Sequence, residues 1–352
     1  MQIDFHHAVT YVVARCAGFL HDDAAVIAYA AQYVDDAVTP GEIRFDNDAL
    51  YSRISSAQKN FDVGDLRDQT NRLTWQAFHF LPGNGGLPAG ADPPGGFIEK
   101  LVCTPGSPVA RDMVRTCIAE RDAPRSLHRL GITMHTYADT WAHQGFAGIL
   151  NDVNKITDVM EISHEHVLPG GLAGFRDHIL RDTLPPVGHG RALTLPDLPF
   201  LNWQYRNGEG TTINRDNTAF FLDAANALHT ALQRYRAQDP DVASPALSSQ
   251  DEAVITDLFT ANTSVDPDPR HEAWIAAVGQ GRFSFGPATI HYDPTGPESW
   301  KAAALGTSDD EPKYPYHPEF LQTHWKWFHD ALQRHRLAVL HDILPKYGIC
   351  SG

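Results

Sequence analysis

The stretch LHRLGITMHTYADTWAHQGFAGI, residues 127–149, decides how this chain is read. Pro124 stands just ahead of it, well placed for a first helical turn, and the pattern predicts a helix over about 124–149. Within it His135, Asp139 and His143 recur at every fourth position. At about 100° per residue each such step drifts by only about 40°, so all three project from one side. Met134, Trp141 and Phe146 beside them predict that the helix is buried. Three titratable groups on a buried stripe are costly unless partners or a cation satisfy them. Imidazole and carboxylate are what a divalent ion such as zinc takes as ligands. The stripe therefore predicts part of a metal shell. The competing reading is a solvated polar face, or histidines satisfied by backbone carbonyls.

One helix supplies only part of a shell, so further donors are sought outward from it. A helix predicted over residues 4–18 brings Asp4, His6 and His7 at its start, with Val9, Val12, Val13 and Cys16 on a shared face. A second, over about 21–38, ends at Thr39-Pro40-Gly41 and carries Asp35 and Asp36 in its last turn. Acids there oppose the helix macrodipole, and a local rule broken twice points to function. Asp35 and Asp36 are therefore candidates both as ligands and as the group that orients or deprotonates a metal-bound water. His79 lies in the aromatic run WQAFHF (75–80), and a long Gly/Pro-rich loop, 81–96, follows as a lid or site wall. His21-Asp22 reads as helix-start chemistry rather than as a metal dipeptide. His324, His329, His335 and His341, at spacings of five and six, do not share a face and read as surface or edge residues.

Further helices are expected at 107–121, 218–237, 249–262, 269–279 and 318–344. The expectation is an all-α fold, one multi-helix domain over 1–352 with a helical core at about 4–149 and 216–345 and an irregular loop region at about 150–215. Of 352 residues 42% are apolar and 20% charged, a composition that folds. No run approaches the roughly 18 apolar residues of a membrane helix. The start, Met1-Gln2-Ile3-Asp4-Phe5-His6, lacks the basic and apolar regions of a secretory signal, which predicts a cytoplasmic protein. Four scattered cysteines give neither a CxxC pair nor a disulfide framework. The net charge of −15 argues against nucleic acid as a partner. No phosphate-binding glycine loop and no nucleophile motif occurs.

The order of these pieces resembles the zinc-dependent phospholipase C and single-strand-specific nuclease superfamily. Ala30-Ala31-Gln32-Tyr33-Val34-Asp35, Phe78-His79-Phe80 and Leu130 to Asp139 resemble three of its ligand segments, and His6 stands where its early histidine stands. His143 resembles the next histidine, four residues after the aspartate where the superfamily usually has six. The resemblance implies a helical enzyme with up to three clustered zinc ions. In the secreted members the amino group and carbonyl of a mature N-terminal Trp are ligands. Here Met1-Gln2 opens the chain, and Asp4 is the candidate substitute, with a two-ion site as the alternative. For the last ligands the candidates are His189, flanked by Gly188 and Gly190 with Asp197 downstream, and the pair His164 and His166; the glycines favour His189. Over most of its length the chain more closely resembles a microbial family catalogued as a domain of unknown function. That likeness rests on DFHxxxTYVxAR, AYAAQYVDDA, LGIxMHTYADTWAHQGFAG and GHGxxxxxPDLPFLxW.

The expected function is a metal-dependent hydrolase of a small or lipid-like phosphoester, with two or three zinc ions held by His6, Asp35, Asp36, His79, His135, Asp139, His143 and His189. Iron or manganese are the alternative metals. The rival functions are an iron-dependent oxidative enzyme on a helical scaffold and a non-catalytic, metal-stabilised binding or effector protein. The Glu-x-x-His repeats of ferritin-like proteins are missing, which counts against the oxidative one.

Overall fold

A computed structural model describes residues 1–57, 69–159, 162–164, 168, 171 and 187–350. The chain is about 53% helical. A π-helical segment, Asp4–Val9, runs into α1 (Thr10–Cys16) and is followed by α2 (His21–Asp36). After the hairpin β1 (Gly41–Arg44) and β2 (Leu50–Arg53) come α3 (Gln69–Phe78), α4 (Phe97–Leu101), α5 (Pro108–Ala119) and α6 (Ser126–Ala142). Strands β3 (Ile156–Thr157), β4 (Asn202–Asn207) and β5 (Thr212–Asp216) form a second antiparallel sheet. The remaining helices are α7 (Asn217–Ala237), α8 (Ser249–Ala261), α9 (Pro267–Gly279), α10 (Trp300–Leu305) and α11 (His324–Leu337). Among the described residues no helix is long and apolar enough to cross a membrane.

Two expectations need correction. The fold is mostly helical but not all-α, because the region read as irregular contributes a three-stranded sheet. Its β4 alternates in the strand period: Trp203 and Tyr205 turn inward while Asn202 and Arg206 face out. Those two rings, with Phe80, Phe146, Leu198 and Phe200, build a second apolar cluster beside the helical core. His329 and His335 are not surface residues either; they are 2% and 0% exposed. Helix α11 presents His335 to the core, where Nε2 donates to Ala77 O at 3.1 Å and the ring stacks on Phe78. A long side chain that can satisfy its polar edge on a helix-end carbonyl is not forced to the surface.

The centre of the helical core is α6, with every residue from His128 to Ala142 buried. A helix buried on all sides must carry its polar groups to internal partners. It packs against α2, α5, α7 and α11. Gly131 lets α2 come close: a Cβ there would lie 2.3 Å from Ile27 O and 2.7 Å from the Ala30 Cβ. This approach brings Ala31 O within 2.8 Å of His135 Nδ1. Gly131→Ala is therefore expected to cost about 1–3 kcal/mol by overpacking, despite alanine's better helix propensity. A thermal melt checks it; unchanged or higher Tm would show that the helices can part at no cost.

Candidate metal centre

The donors come from five places along the chain. The π-helical segment sets His6, the last turn of α2 sets Asp35, and His79 follows α3 directly. Helix α6 carries His135 and Asp139 one turn apart, and His143 is its C-cap rather than a helical residue. His189 and Asp197 flank two short 3-10 turns, Gly190–Ala192 and Leu195–Asp197. Three sets of ligand atoms converge to within 4.8 Å: His6, Asp35 and His135; His79, His135 and Asp139; His143, His189 and Asp197.

The distances inside the second set are tight. His79 Nδ1 lies 3.2 Å from His135 Nε2, and each is 3.3 Å from Asp139 Oδ2. Asp35 Oδ1 is 3.8 Å from both nitrogens. An ion with bonds of about 2.0–2.1 Å in tetrahedral geometry sets its donors about 3.3–3.4 Å apart, so the His79–His135–Asp139 trio has edge lengths that suit zinc, with Asp35 standing farther out. In the third set Asp197 Oδ1 is 3.8 Å from His143 Nε2 and Asp197 Oδ2 is 3.5 Å from His189 Nε2.

The outer nitrogens carry as much information as the inner ones. A carbonyl can only accept, so a ring nitrogen bonded to one bears the hydrogen. His135 Nδ1 donates to Ala31 O at 2.8 Å, His143 Nδ1 to His79 O at 2.8 Å, and His189 Nδ1 to Leu193 O at 2.7 Å. His79 is turned the other way, with Nε2 donating to Ser56 O at 2.9 Å. In each neutral ring the inward nitrogen therefore presents a lone pair to carboxylate oxygens. Lone pairs facing lone pairs at 3.2–3.8 Å repel unless a proton or a cation lies between them. Backbone carbonyls that fix the tautomer of ligating histidines are the usual outer layer of a metal site. His6 is fully buried and stacked on His135 at 3.8 Å; its Nε2 lies 3.2 Å from Asp139 Oδ1 outside hydrogen-bond geometry, and its Nδ1 has no hydrogen bond among the described residues.

Met1 changes the picture of the N-terminus. Its buried amino group lies 2.7 Å from Asp139 Oδ1 and 3.2 Å from Asp197 Oδ1, between the second and third sets. The expected substitute, Asp4, is elsewhere: it is paired with the buried guanidinium of Arg270, Nε to Oδ2 2.7 Å. His7 bonds His271, Nδ1 to Nε2 2.8 Å. Asp36 accepts from Gln32 and from the Tyr292 hydroxyl, and does not join Asp35 in any of the three sets. His164 packs edge-on against Phe200, and His166 lies outside the described residues. Of the eight residues read from the sequence as ligands, seven are brought together, and Asp197 joins them. Its signal was the segment Pro196-Asp197 just after His189. The Met1 amine, which the superfamily likeness implied and the Met1-Gln2 start counted against, is the N-terminal group at the site.

Charge balance sets the protonation of these groups. Burial alone would raise Asp139, but His143, the Met1 ammonium, His135 and His6 hold it well below the usual carboxylate range. Burial likewise works against Asp197, yet the Met1 ammonium, His189 and His143 hold it down at about 2. The Met1 amine is raised to about 11: desolvation opposes its charge, and Asp139 and Asp197 outweigh desolvation. His79 is raised for the same reason, by Asp139 and Asp35 against its burial. In the metal-free protein, the proton on the Met1 amine stands where divalent charge would.

The site is not sealed. Asp139 is 1% exposed, whereas the side chains of His79, His189 and Asp35 are 14%, 19% and 32% exposed. Asp35 and Met1 form part of the wall of a cavity of about 570 Å³, together with Gln32, Asp36, His271 and Tyr292. The 81–96 loop does not contribute to that wall.

Residues 1–343 match DUF6765, a family of unknown function. The chain belongs to that family. No curated protein and no solved structure matches it. The donor sets thus lie within the segment that defines DUF6765, from the first residues to the Asp197 turn.

Acid should unravel this DUF6765 site in a defined direction. Burial holds His143 at about 3, below its ordinary 6.5, so protonation favours the unfolded chain. The stability linked to His143 is complete above pH 6.5 and lost as pH falls toward 3; that linked to Asp197 follows, from 3.8 toward 2. The Tm of metal-free protein should therefore fall steadily below pH 6.5, with a shallower slope in His143→Gln. Identical acid slopes for the two proteins would refute this assignment.

Proposed function

We propose that the protein is a metal-dependent hydrolase acting on a phosphoester, with two or three divalent ions, zinc foremost, held by these donors. One observation carries the reading: four histidines have one ring nitrogen fixed on a carbonyl and the other turned, as a lone pair, toward shared carboxylates. His79, His135, Asp139 and Asp35 would hold one ion, and His143, His189 and Asp197 another. His6 and the Met1 amine are the further donors. Bound there, divalent ions would lower the pKa of a water and offset charge on phosphoester oxygens.

The protein's own groups divide the rest of the work. Asp35 is the partly exposed carboxylate on the cavity side, and its withdrawal from water raises its pKa against the pull of His135 and His79. A carboxylate so placed can orient a water and take its proton. Asp36 serves the cavity wall instead, fixed by Gln32 and Tyr292. The wall carries Asp35, Asp36 and Asp268 with Ile3, Pro267 and Pro294, and no Lys or Arg. Such a cavity disfavours polyanions and suits a small or lipid-like ester whose single phosphate reaches the metals. The partial exposure of His79, His189 and Asp35 favours this over a closed structural metal site. The likeness to the zinc-dependent phospholipase C superfamily in the His79 and His135–Asp139 segments points the same way.

Elemental analysis of purified protein should give at least two equivalents of a divalent metal, colourless if zinc. Asp139→Asn and His135→Ala should each lose the metal and at least about a hundred-fold in activity on a panel of phosphomonoesters, phosphodiesters and phospholipids. Full activity in metal-free Asp139→Asn protein would sink the proposal, and stoichiometric iron with a visible absorption band would replace it with the oxidative function.

A further inference from the structure

Arg215 and Asn217 are buried polar residues that the donor sets do not use, at 2% and 0% exposure. They stand at the junction of β5 and α7. Arg215 Nη2 donates to Ala142 O at 2.9 Å and Nη1 to Gln144 O at 3.2 Å, the two carbonyls on either side of His143. Asn217 Nδ2 donates to Leu195 O at 2.7 Å and to Leu198 O at 2.9 Å, on either side of Asp197. The two residues are themselves joined, Arg215 Nε to Asn217 Oδ1 at 3.4 Å, and the indole of Trp203 donates to the same oxygen at 3.4 Å.

We infer that Arg215 and Asn217 act as one brace that fixes the His143 backbone relative to the Asp197 turn, and so positions the His143–His189–Asp197 set. Both arms grip backbone rather than side chains. His143 is a C-cap with no further helical turn behind it, and Asp197 ends a single 3-10 turn. Neither segment has secondary structure of its own to hold a ligand atom to a fraction of an ångström, which a metal site demands. A guanidinium at a helix C-terminus is common as a cap. A cap alone does not explain why its partner amide reaches across to the other ligand's turn. The His79–His135–Asp139 set needs no such brace, since Asp139 and His135 are held by the helix itself. Arg215 and Asn217 are thus positioning residues, and for the second ion the inference rests on the metal reading above.

Asn217→Asp separates the arms: its carboxylate still accepts from Arg215 and Trp203 but cannot donate to Leu195 O and Leu198 O. Two readouts on the full chain test it. In metal-free protein, hydrogen exchange at the amides of Asp197 and Leu201 should accelerate by about ten-fold or more, while amides within residues 130–139 keep wild-type rates. In zinc titrations followed by elemental analysis, one ion should bind at least about ten-fold more weakly and the other unchanged. Arg215→Lys, which retains charge but reaches fewer carbonyls, should fall between wild type and Asn217→Asp, and it carries the comparison if Asn217→Asp does not fold. Equal weakening of all ions, or none, together with uniform exchange rates, would reduce the pair to ordinary stabilising contacts. If the wild type binds no zinc, the metal reading fails, and the exchange data alone decide on the brace.

Discussion

A carboxylate with 1% exposure in the middle of a helical core is the constraint from which the rest follows. Removing an unpaired ion of that size from water costs far more than any single apolar contact returns. Asp139 therefore exists only because the chain surrounds it with positive or polarisable partners: the Met1 amine, His6, His79 and His135. Each must arrive from a different element, and each arrival shapes the fold. Gly131 admits α2, the π-helical start turns His6 inward, and the chain bends directly after α3 to deliver His79. A π turn widens the helix by one residue and re-aims side chains, which suits a segment where Asp4, His6 and His7 each face a different buried partner.

The surplus negative charge has two distinct locations. Part of it is internal, in Asp139 and Asp197, where divalent ions would compensate it, with Asp35 at the boundary between this group and the cavity. Another part faces the cavity, in Asp36 and Asp268. Under the proposed function the first kind would hold the ions, and the second would disfavour a polyanion approaching through the cavity. An overall −15 is therefore compatible with an anionic reacting group, provided that group is small and reaches the ions.

How much of this was legible in the sequence depended on whether a local period encoded it. His135 and Asp139 stand on one helical face and could be read from spacing alone. Asp35 was marked by breaking the helix-dipole rule, and it converges with His6 and His135; Asp36, marked by the same rule, serves Tyr292 instead. Spacing cannot separate adjacent acids, since a 100° step turns one toward the site and the next toward the cavity wall. The three-stranded sheet did carry a period, Trp203 and Tyr205 alternating with polar neighbours, but six residues are too short to outweigh a helical context. The superfamily likeness pointed to an N-terminal amine, and the Met1-Gln2 start turned the reading to Asp4, which pairs with Arg270 instead. The contacts of Arg215 and Asn217 were out of reach for another reason: they end on backbone carbonyls, and no residue type announces a backbone partner.

The outer bonds of the histidines bear on why such a site can be both strong and selective. A free imidazole in water exchanges tautomers and rotates, and binding a metal must first stop both motions. Here Ala31, His79, Leu193 and Ser56 have already fixed the tautomers through their carbonyls, and two of those, His79 and Leu193, directly follow helical turns, where carbonyl oxygens lack intrahelical partners. The unsatisfied carbonyls of a helix end and the unsatisfied N–H of a buried imidazole solve each other's problem. This pairing removes the entropy cost from the binding step and charges it to folding, where the apolar core of α2 and α6 can carry it. If the site takes a metal, its affinity would depend on these carbonyls as well as on its ligands. Changes at Ala31 or Leu193 that leave every donor in place should then alter the site through carbonyl direction alone.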